Sequence, residues 1–199
     1  MRIVLASRSP RRSELFRTIG IRDFDVIPAL GDEELRTDVP PYRTVELTAG
    51  AKAGEVARRC SGGDLVVAAD TMVLLGSRFL GKPSDRADAA RMLHALSGRT
   101  HAVLTGVALS LNGRTLLGHE ETRVTFRPLT DEMIGWYLDT GEPFDKAGAY
   151  GAQGAGALLV ERIDGDFFNV MGFPLVRFHK MLTEMGVSLF SCLSGDECQ

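Results

Sequence analysis

The sequence predicts an α/β (α+β) fold in which a mixed β-sheet is flanked by helices. Two short apolar runs, RIVLA at 2–6 and DLVVAAD at 64–70, are typical of buried strands. Segments of helical period separate such runs in the first half of the chain, as in α/β proteins. Residues 101–126 change to a period of two around Asn112-Gly113, which indicates a long β-hairpin. Together these patterns predict a sheet with both strand orientations.

The elements follow in order from the strand at 2–6. Ser9 is typical of an N-cap and Pro10 of a first helical residue, so a helix is predicted from Pro10 to about Gly20. Further helices are predicted at 43–60, 85–97, 130–140 and 174–186, and a short strand at 24–28. After a glycine-rich stretch at 141–157, the runs ALLVERI and FFNVM are predicted as two strands around Asp164-Gly165.

Length and composition indicate one domain over 1–187, followed by a flexible C-terminal tail at 188–199. A net charge of −3 argues against nucleic-acid binding as a general role. No apolar run approaches the roughly 20 residues that a membrane span needs, and arginines follow the first apolar run too closely for a signal peptide. The three cysteines lack metal-ligand spacing. We therefore expect a cytoplasmic protein with no membrane partner.

Arg11 and Arg12 lie in the first turn of the first predicted helix. Cations are unfavourable there, because the helix N-terminus already carries partial positive charge and unpaired N–H groups. A strongly anionic ligand would explain the placement, since guanidinium groups bind phosphate oxygens bidentately. The alternative is a solvated basic turn.

Asp70 is predicted to end the strand at 64–70 and so to lie at the carboxyl edge of the sheet, where α/β folds bind ligands. There it could hold a divalent cation or activate water. Alternatively, its side chain caps the turn that follows. Glu33 lies in an acidic loop and is a weaker candidate.

Two further segments carry candidate residues. In GKPSD at 81–85, Lys82 offers a compact positive charge. The segment lacks the spacing of a Walker A motif, and the alternative is that it forms a surface turn. In the glycine-rich stretch, the Gln153 amide could read the edge of a base, and the alternative is a structural loop. The four histidines show no metal-binding pattern, and no residue arrangement indicates covalent catalysis.

In their order along the chain, these motifs resemble the Maf family of nucleoside triphosphate pyrophosphatases. The resemblance covers residues 5 to about 175 and rests on LASRSPRRSEL, DE at 32–33, AKA at 51–53, AADT at 68–71, GKPSD, MLHALSGRTHAVLTGVAL, EPFDKAGAYGAQG and NVMGFPL. It implies an elongated, curved mixed sheet with two lobes around a central cleft, as in ITPase-like folds, and often a homodimer. It also implies hydrolysis between the α- and β-phosphates, with Mg²⁺ or Mn²⁺ as cofactor.

The resemblance further implies a role for individual residues. Asp70 matches the catalytic position, and Glu33 and Asp70 match the metal site. Substrate-specificity positions are matched by Arg12, Thr71 and Gln153. Phosphate-binding positions are matched by Ser7, Arg11, Arg12, Lys52, Lys82 and Lys146. The Asp145-Lys146 pair resembles the subgroup that acts on dTTP and UTP. The alternatives are a pyrophosphatase for 7-methyl-GTP or another non-canonical nucleotide, and a nucleotide-responsive regulator of cell division with little turnover.

Overall fold

The computed structural model describes residues 1–31, 36 and 38–190. Its strands are β1 (Ile3–Leu5), β2 (Asp25–Val26), β3 (Leu65–Leu75), β4 (Arg78–Leu80), β5 (Thr100–Leu111), β6 (Arg114–Phe126) and β7 (Val160–Asp164). Its α-helices are α1 (Pro10–Thr18), α2 (Pro41–Ala57), α3 (Arg86–Leu96), α4 (Asp131–Asp139), α5 (Phe167–Met171) and α6 (Leu175–Met185). Three 3₁₀ helices lie between α4 and β7, at Glu142–Asp145, Ala147–Ala149 and Gly154–Leu159.

The seven strands form one mixed sheet in the order β2-β1-β3-β5-β6-β7, with β4 paired to β3. β1 is parallel to both β2 and β3, whereas β4 on β3 and β7 on β6 are antiparallel. Asn112 and Gly113 both have positive φ in the turn between β5 and β6, as a two-residue hairpin requires. The predicted α/β fold with a mixed sheet is confirmed.

By its internal contacts the chain divides into two compact units, and the resemblance implied two lobes. The first unit comprises Met1–Asp70, Thr105–Glu120 and Gly172–Gln199, and the second comprises Thr71–Leu104 and Glu121–Met171. Within the described ranges, no helix has the length and apolarity to cross a bilayer.

In the first unit, small side chains allow α2 to lie directly on the sheet. Ala49, Ala53 and Val56 are fully buried on one face of α2, against apolar residues of β1 and β3. The backbone of α2 also touches β5, since a Cβ on Gly106 would lie 2.2 Å from the Val45 carbonyl oxygen. This close packing fixes the height of α2 above the sheet, and with it the position of any side chain at its edge.

In the second unit, α3 and α4 cover a separate apolar core. Leu93, Leu96 and Tyr137 are fully buried there, as the helical spacing of apolar residues predicts. The helix starts follow local signals: Asp85 accepts a hydrogen bond from the Asp88 N–H, and Thr130 accepts one from the Met133 N–H.

The prediction that 167–171 is a strand is wrong, because these residues form α5. Asp166 Oδ1 accepts a hydrogen bond from the Phe168 N–H and so begins the helix. Asn169 is buried, and its amide donates to the Val103 carbonyl and to Thr122 Oγ1. Phe167 remains partly exposed, so the apolar residues of FFNVM do not all lie on the buried face of α5.

The start of α1 and the C-terminal end of the described chain complete the fold. Ser9 occupies the N-cap position before Pro10, but its side chain makes no capping hydrogen bond. Of the predicted tail, residues 188–190 are described and Leu189 is buried; residues 191–199 lie outside the described part of the chain. On α6, Met181 is buried and Met185 is half-buried.

Candidate functional site

A buried ion pair joins α2 to β3 in the first unit. Lys52 Nζ donates a hydrogen bond to Asp70 Oδ1 at 2.8 Å. The Asp70 side chain is 9% exposed and the Lys52 side chain 15%, so both charges are largely removed from water. Such a carboxylate needs its cation, because an isolated buried charge is strongly unfavourable. The hydrogen bond from Lys52 therefore holds the Asp70 side chain in a fixed orientation.

Asp70 does not end its strand, and this corrects the prediction. β3 continues through Thr71 to Leu75, since Val73 pairs with Leu80 of β4 and both are buried in the second unit's core. Capping of a following turn is excluded for the same reason. Asp70 thus projects from regular strand backbone, which holds it more rigidly than a loop would.

Ser7 and Arg12 are brought together at the start of α1. Arg12 Nη1 donates to Ser7 Oγ at 3.1 Å, and Arg12 Nε donates to the Gly172 carbonyl at 2.8 Å. Ser7 is buried, while Arg11 and Arg12 are half-buried. The hydrogen bonds orient the Arg12 guanidinium beside the N-terminus of α1, where its charge favours an anion.

The second unit contains Thr71 and Lys82. Thr71 follows Asp70 on β3 and is half-buried. Lys82 is exposed between β4 and α3. The preceding carbonyl, that of Gly81, accepts a hydrogen bond from the Gly148 N–H at 3.0 Å. This bond connects the Lys82 turn to the glycine-rich stretch 141–157.

Lys146 is held within the glycine-rich stretch. Its Nζ donates to the Glu142 carbonyl and to Asp145 Oδ1, both at 2.6 Å. Gln153 is half-buried and immediately precedes the last 3₁₀ helix. The structure therefore places Lys146 and Gln153 in one folded loop, with the lysine charge already engaged by that loop.

Sequence reasoning missed Glu142 and Tyr137, which organise this loop. Tyr137 donates its hydroxyl hydrogen to Glu142 Oε1 at 3.0 Å and accepts one from the Gly151 N–H at 3.0 Å. Glu142 Oε2 accepts from the Ala155 N–H at 3.0 Å. Burial raises the pKa of Tyr137 well above its ordinary value, so the hydroxyl stays protonated and donates. In the sequence, the closely spaced glycines of 141–157 are the one signal that indicated close backbone contacts in this loop.

The described residues contain no group of three or more His, Cys, Asp or Glu side chains that could hold a metal by themselves. Asp70 is the predicted metal ligand that the structure describes. Glu33, the other one, lies outside the described residues. A single carboxylate fits Mg²⁺, which commonly binds one or two carboxylates together with substrate phosphates and water.

These features define an α/β protein with a mixed sheet, a largely buried ion pair between a helix and a central strand, and adjacent arginines in the first turn of its first helix. The family described as "Maf-like protein" matches residues 2–185, and the chain belongs to that family.

Similar proteins agree with this membership. A dTTP/UTP pyrophosphatase from Symbiobacterium thermophilum is 48% identical over 97% of this chain and 98% of its own. A dTTP/UTP pyrophosphatase from Moorella thermoacetica is 50% identical over 95% of this chain and 97% of its own. Among solved structures, a HAM1 protein from Coxiella burnetii has a TM-score of 0.51 at 19% identity, covering 92% of this chain and 99% of that one. At that identity the likeness concerns the fold alone.

Proposed function

We propose that this chain is a nucleoside triphosphate pyrophosphatase that hydrolyses the bond between the α- and β-phosphates of dTTP and UTP. The products are the nucleoside monophosphate and pyrophosphate. Full-length similarity to proteins named dTTP/UTP pyrophosphatase supports the substrate class. The observation that carries the chemistry is the buried hydrogen bond between Lys52 and Asp70.

Asp70 is the proposed proton acceptor for the attacking water. Its carboxylate is buried on regular strand backbone and oriented by Lys52 at 2.8 Å, so little rearrangement is needed before it accepts a proton. The Lys52 side chain is proposed to bind phosphate oxygens as well as the Asp70 carboxylate. Water attacks the α-phosphorus and gives a proton to Asp70, while the bond from that phosphorus to the bridging oxygen breaks and pyrophosphate leaves with that oxygen.

Positively charged side chains are proposed to neutralise the negative charge of the substrate. A triphosphate carries about four negative charges near neutral pH, and these repel an incoming nucleophile. Arg12, oriented by Ser7 and Gly172, and Arg11 next to it are proposed to bind phosphate oxygens. Lys82 and Lys146 are assigned the same role from the family resemblance.

Mg²⁺ or Mn²⁺ is the proposed cofactor, held by Asp70 and Glu33. When bound, the cation would neutralise phosphate charge and lower the pKa of a coordinated water. The single described carboxylate at this position suits a cation that arrives with the triphosphate.

Base selection is assigned to Gln153, Thr71 and Arg12. The Gln153 amide offers both a donor and an acceptor, as the edge of thymine or uracil requires. Its half-buried position in the glycine-rich stretch is compatible with access for a planar base. A homodimer, which the family resemblance implies, and a cytoplasmic location, which the sequence predicts, complete the proposal.

Pyrophosphate release from dTTP, UTP and 7-methyl-GTP tests the proposal, with Mg²⁺, Mn²⁺ or excess chelator. We expect kcat/KM to be highest for dTTP and UTP and turnover to stop with chelator. A higher kcat/KM for 7-methyl-GTP would favour the alternative in which the protein is a 7-methyl-GTP pyrophosphatase. Tight nucleotide binding with negligible pyrophosphate release would favour the regulator instead.

A further inference from the structure

We propose that Glu142, acting with Tyr137, is a positioning residue that fixes Gln153 and thereby sets the base preference of the enzyme. This inference rests on the proposed function. It assigns a role to two residues of the second unit that neither touch the reacting phosphate in the proposed chemistry nor belong to the predicted site.

Glu142 and Tyr137 bind the backbone on both sides of Gln153. Two residues before it, the Gly151 N–H donates to the Tyr137 hydroxyl. Two residues after it, the Ala155 N–H donates to Glu142 Oε2. Tyr137 and Glu142 are themselves joined at 3.0 Å. Gln153 is therefore the middle residue of a five-residue segment whose ends are fixed to one hydrogen-bonded pair.

Glycines make this arrangement possible. A Cβ on Gly154 would lie 2.8 Å from Glu142 Oε2, and a Cβ on Gly151 would lie 3.1 Å from Glu142 Oε1. Gly154 also has a φ of +76°, which favours glycine. The backbone thus wraps closely around the carboxylate, which converts a glycine-rich stretch that would otherwise be mobile into a defined loop.

The tight backbone fit predicts that loss of the Glu142 contact weakens nucleotide binding. On a loosened segment the Gln153 side chain still offers its amide, but it loses more conformational entropy when it aligns with a base. Binding of the preferred base then weakens, whereas the proton transfer assigned to Asp70 is unaffected. A positioning role therefore changes KM more than kcat.

The test compares Glu142→Gln, Gln153→Ala and the double variant, with Glu161→Gln as a matched control on exposed β7. We expect Glu142→Gln to raise KM for dTTP about fivefold, the scale of one hydrogen bond, with little change in kcat. KM for 7-methyl-GTP should stay near its wild-type value. The double variant should be no worse than Gln153→Ala, because Glu142 acts only through the contact that Gln153 makes with the base. Tyr137→Phe should act in the same direction.

Full additivity of the two losses would overturn the positioning role, as would an unchanged KM in Glu142→Gln while Gln153→Ala is impaired. An unchanged KM in Gln153→Ala would overturn it too, and would leave pyrophosphatase activity standing. Calorimetric binding of a non-hydrolysable thymidine triphosphate analogue repeats the comparison without turnover. If the wild-type chain hydrolyses no nucleotide, the proposed function fails, and this binding series decides the role of Glu142 by the same criteria.

Discussion

Lys52 Nζ on α2 lies 2.8 Å from Asp70 Oδ1 on β3, and the two residues are 18 positions apart in the chain. Both side chains are largely buried, and α2 is held against the sheet by alanines that permit close approach. The geometry makes each partner dependent on the other, for stability and for the proposed chemistry.

Replacing Asp70 by asparagine should remove the proposed proton acceptor while keeping its shape. We expect kcat to fall about 10²-fold or more, as is typical when a general base is lost. Steady-state pyrophosphate release measures the effect. Asp23→Asn, at an exposed position of the same unit, is the control and should turn over normally. Near-normal kcat in Asp70→Asn would remove this residue from the mechanism.

Replacing Lys52 by methionine should destabilise the fold. The Asp70 carboxylate would remain buried without its cation, a change that costs about 3 kcal/mol in comparable buried pairs. Urea unfolding gives the free energy directly. Lys52→Arg, which keeps the charge, should lose less, and adding Asp70→Asn to Lys52→Met should restore part of the loss. Equal effects of Met and Arg would show that packing, and not charge, matters here.

Replacing Arg12 by lysine should weaken substrate binding more than catalysis. Lysine keeps the charge but lacks the planar group that donates to Ser7 and Gly172 at once. We expect KM for dTTP to rise about tenfold, the effect of losing one charge-assisted hydrogen bond. Arg22→Lys, at an exposed position, serves as control. A wild-type KM in Arg12→Lys would contradict a phosphate contact made by the guanidinium.

Two glycine substitutions should change the free energy of unfolding in opposite directions. Gly106→Ala places its Cβ 2.2 Å from the Val45 carbonyl oxygen and must push α2 from the sheet, which we expect to destabilise by about 3 kcal/mol. Gly135→Ala on α4 meets nothing within 4 Å and should stabilise by about 1 kcal/mol through helix propensity. Thermal unfolding of the two variants compares them. A neutral Gly106→Ala would mean that α2 does not lie this close to β5.

His101 should make stability fall in mild acid. Burial lowers its pKa from 6.5 to about 4, and its Nε2 lies 2.7 Å from the Tyr150 hydroxyl. Because the unfolded chain binds this proton more readily, stability is intact above pH 6.5 and is lost as the pH falls toward 4. The loss from this group is about 3 kcal/mol. His101→Gln should flatten the urea-unfolding profile between pH 7 and pH 4; an identical slope in the variant would assign the dependence to other groups.

Local signals in the sequence determined most elements of this protein. The helix starts at Pro10 and after Asp85, the hairpin at Asn112-Gly113 and the strand alternation up to Phe126 depend on neighbouring residues alone, and each was predicted. The order of the short motifs was likewise sufficient for the family, because it is a property of the chain and not of its folding.

Tertiary structure decided where the chemistry-bearing side chains lie. The apolar run at 167–171 forms a helix because Asn169 finds partners on Val103 and Thr122, which are distant in sequence. Asp70 lies inside a strand because β4 extends the pairing beyond it. The Lys52–Asp70 and Tyr137–Glu142 hydrogen bonds form only after packing sets the distances between elements. Periodicity reports which face of an element is apolar, but not which polar groups another element brings to it.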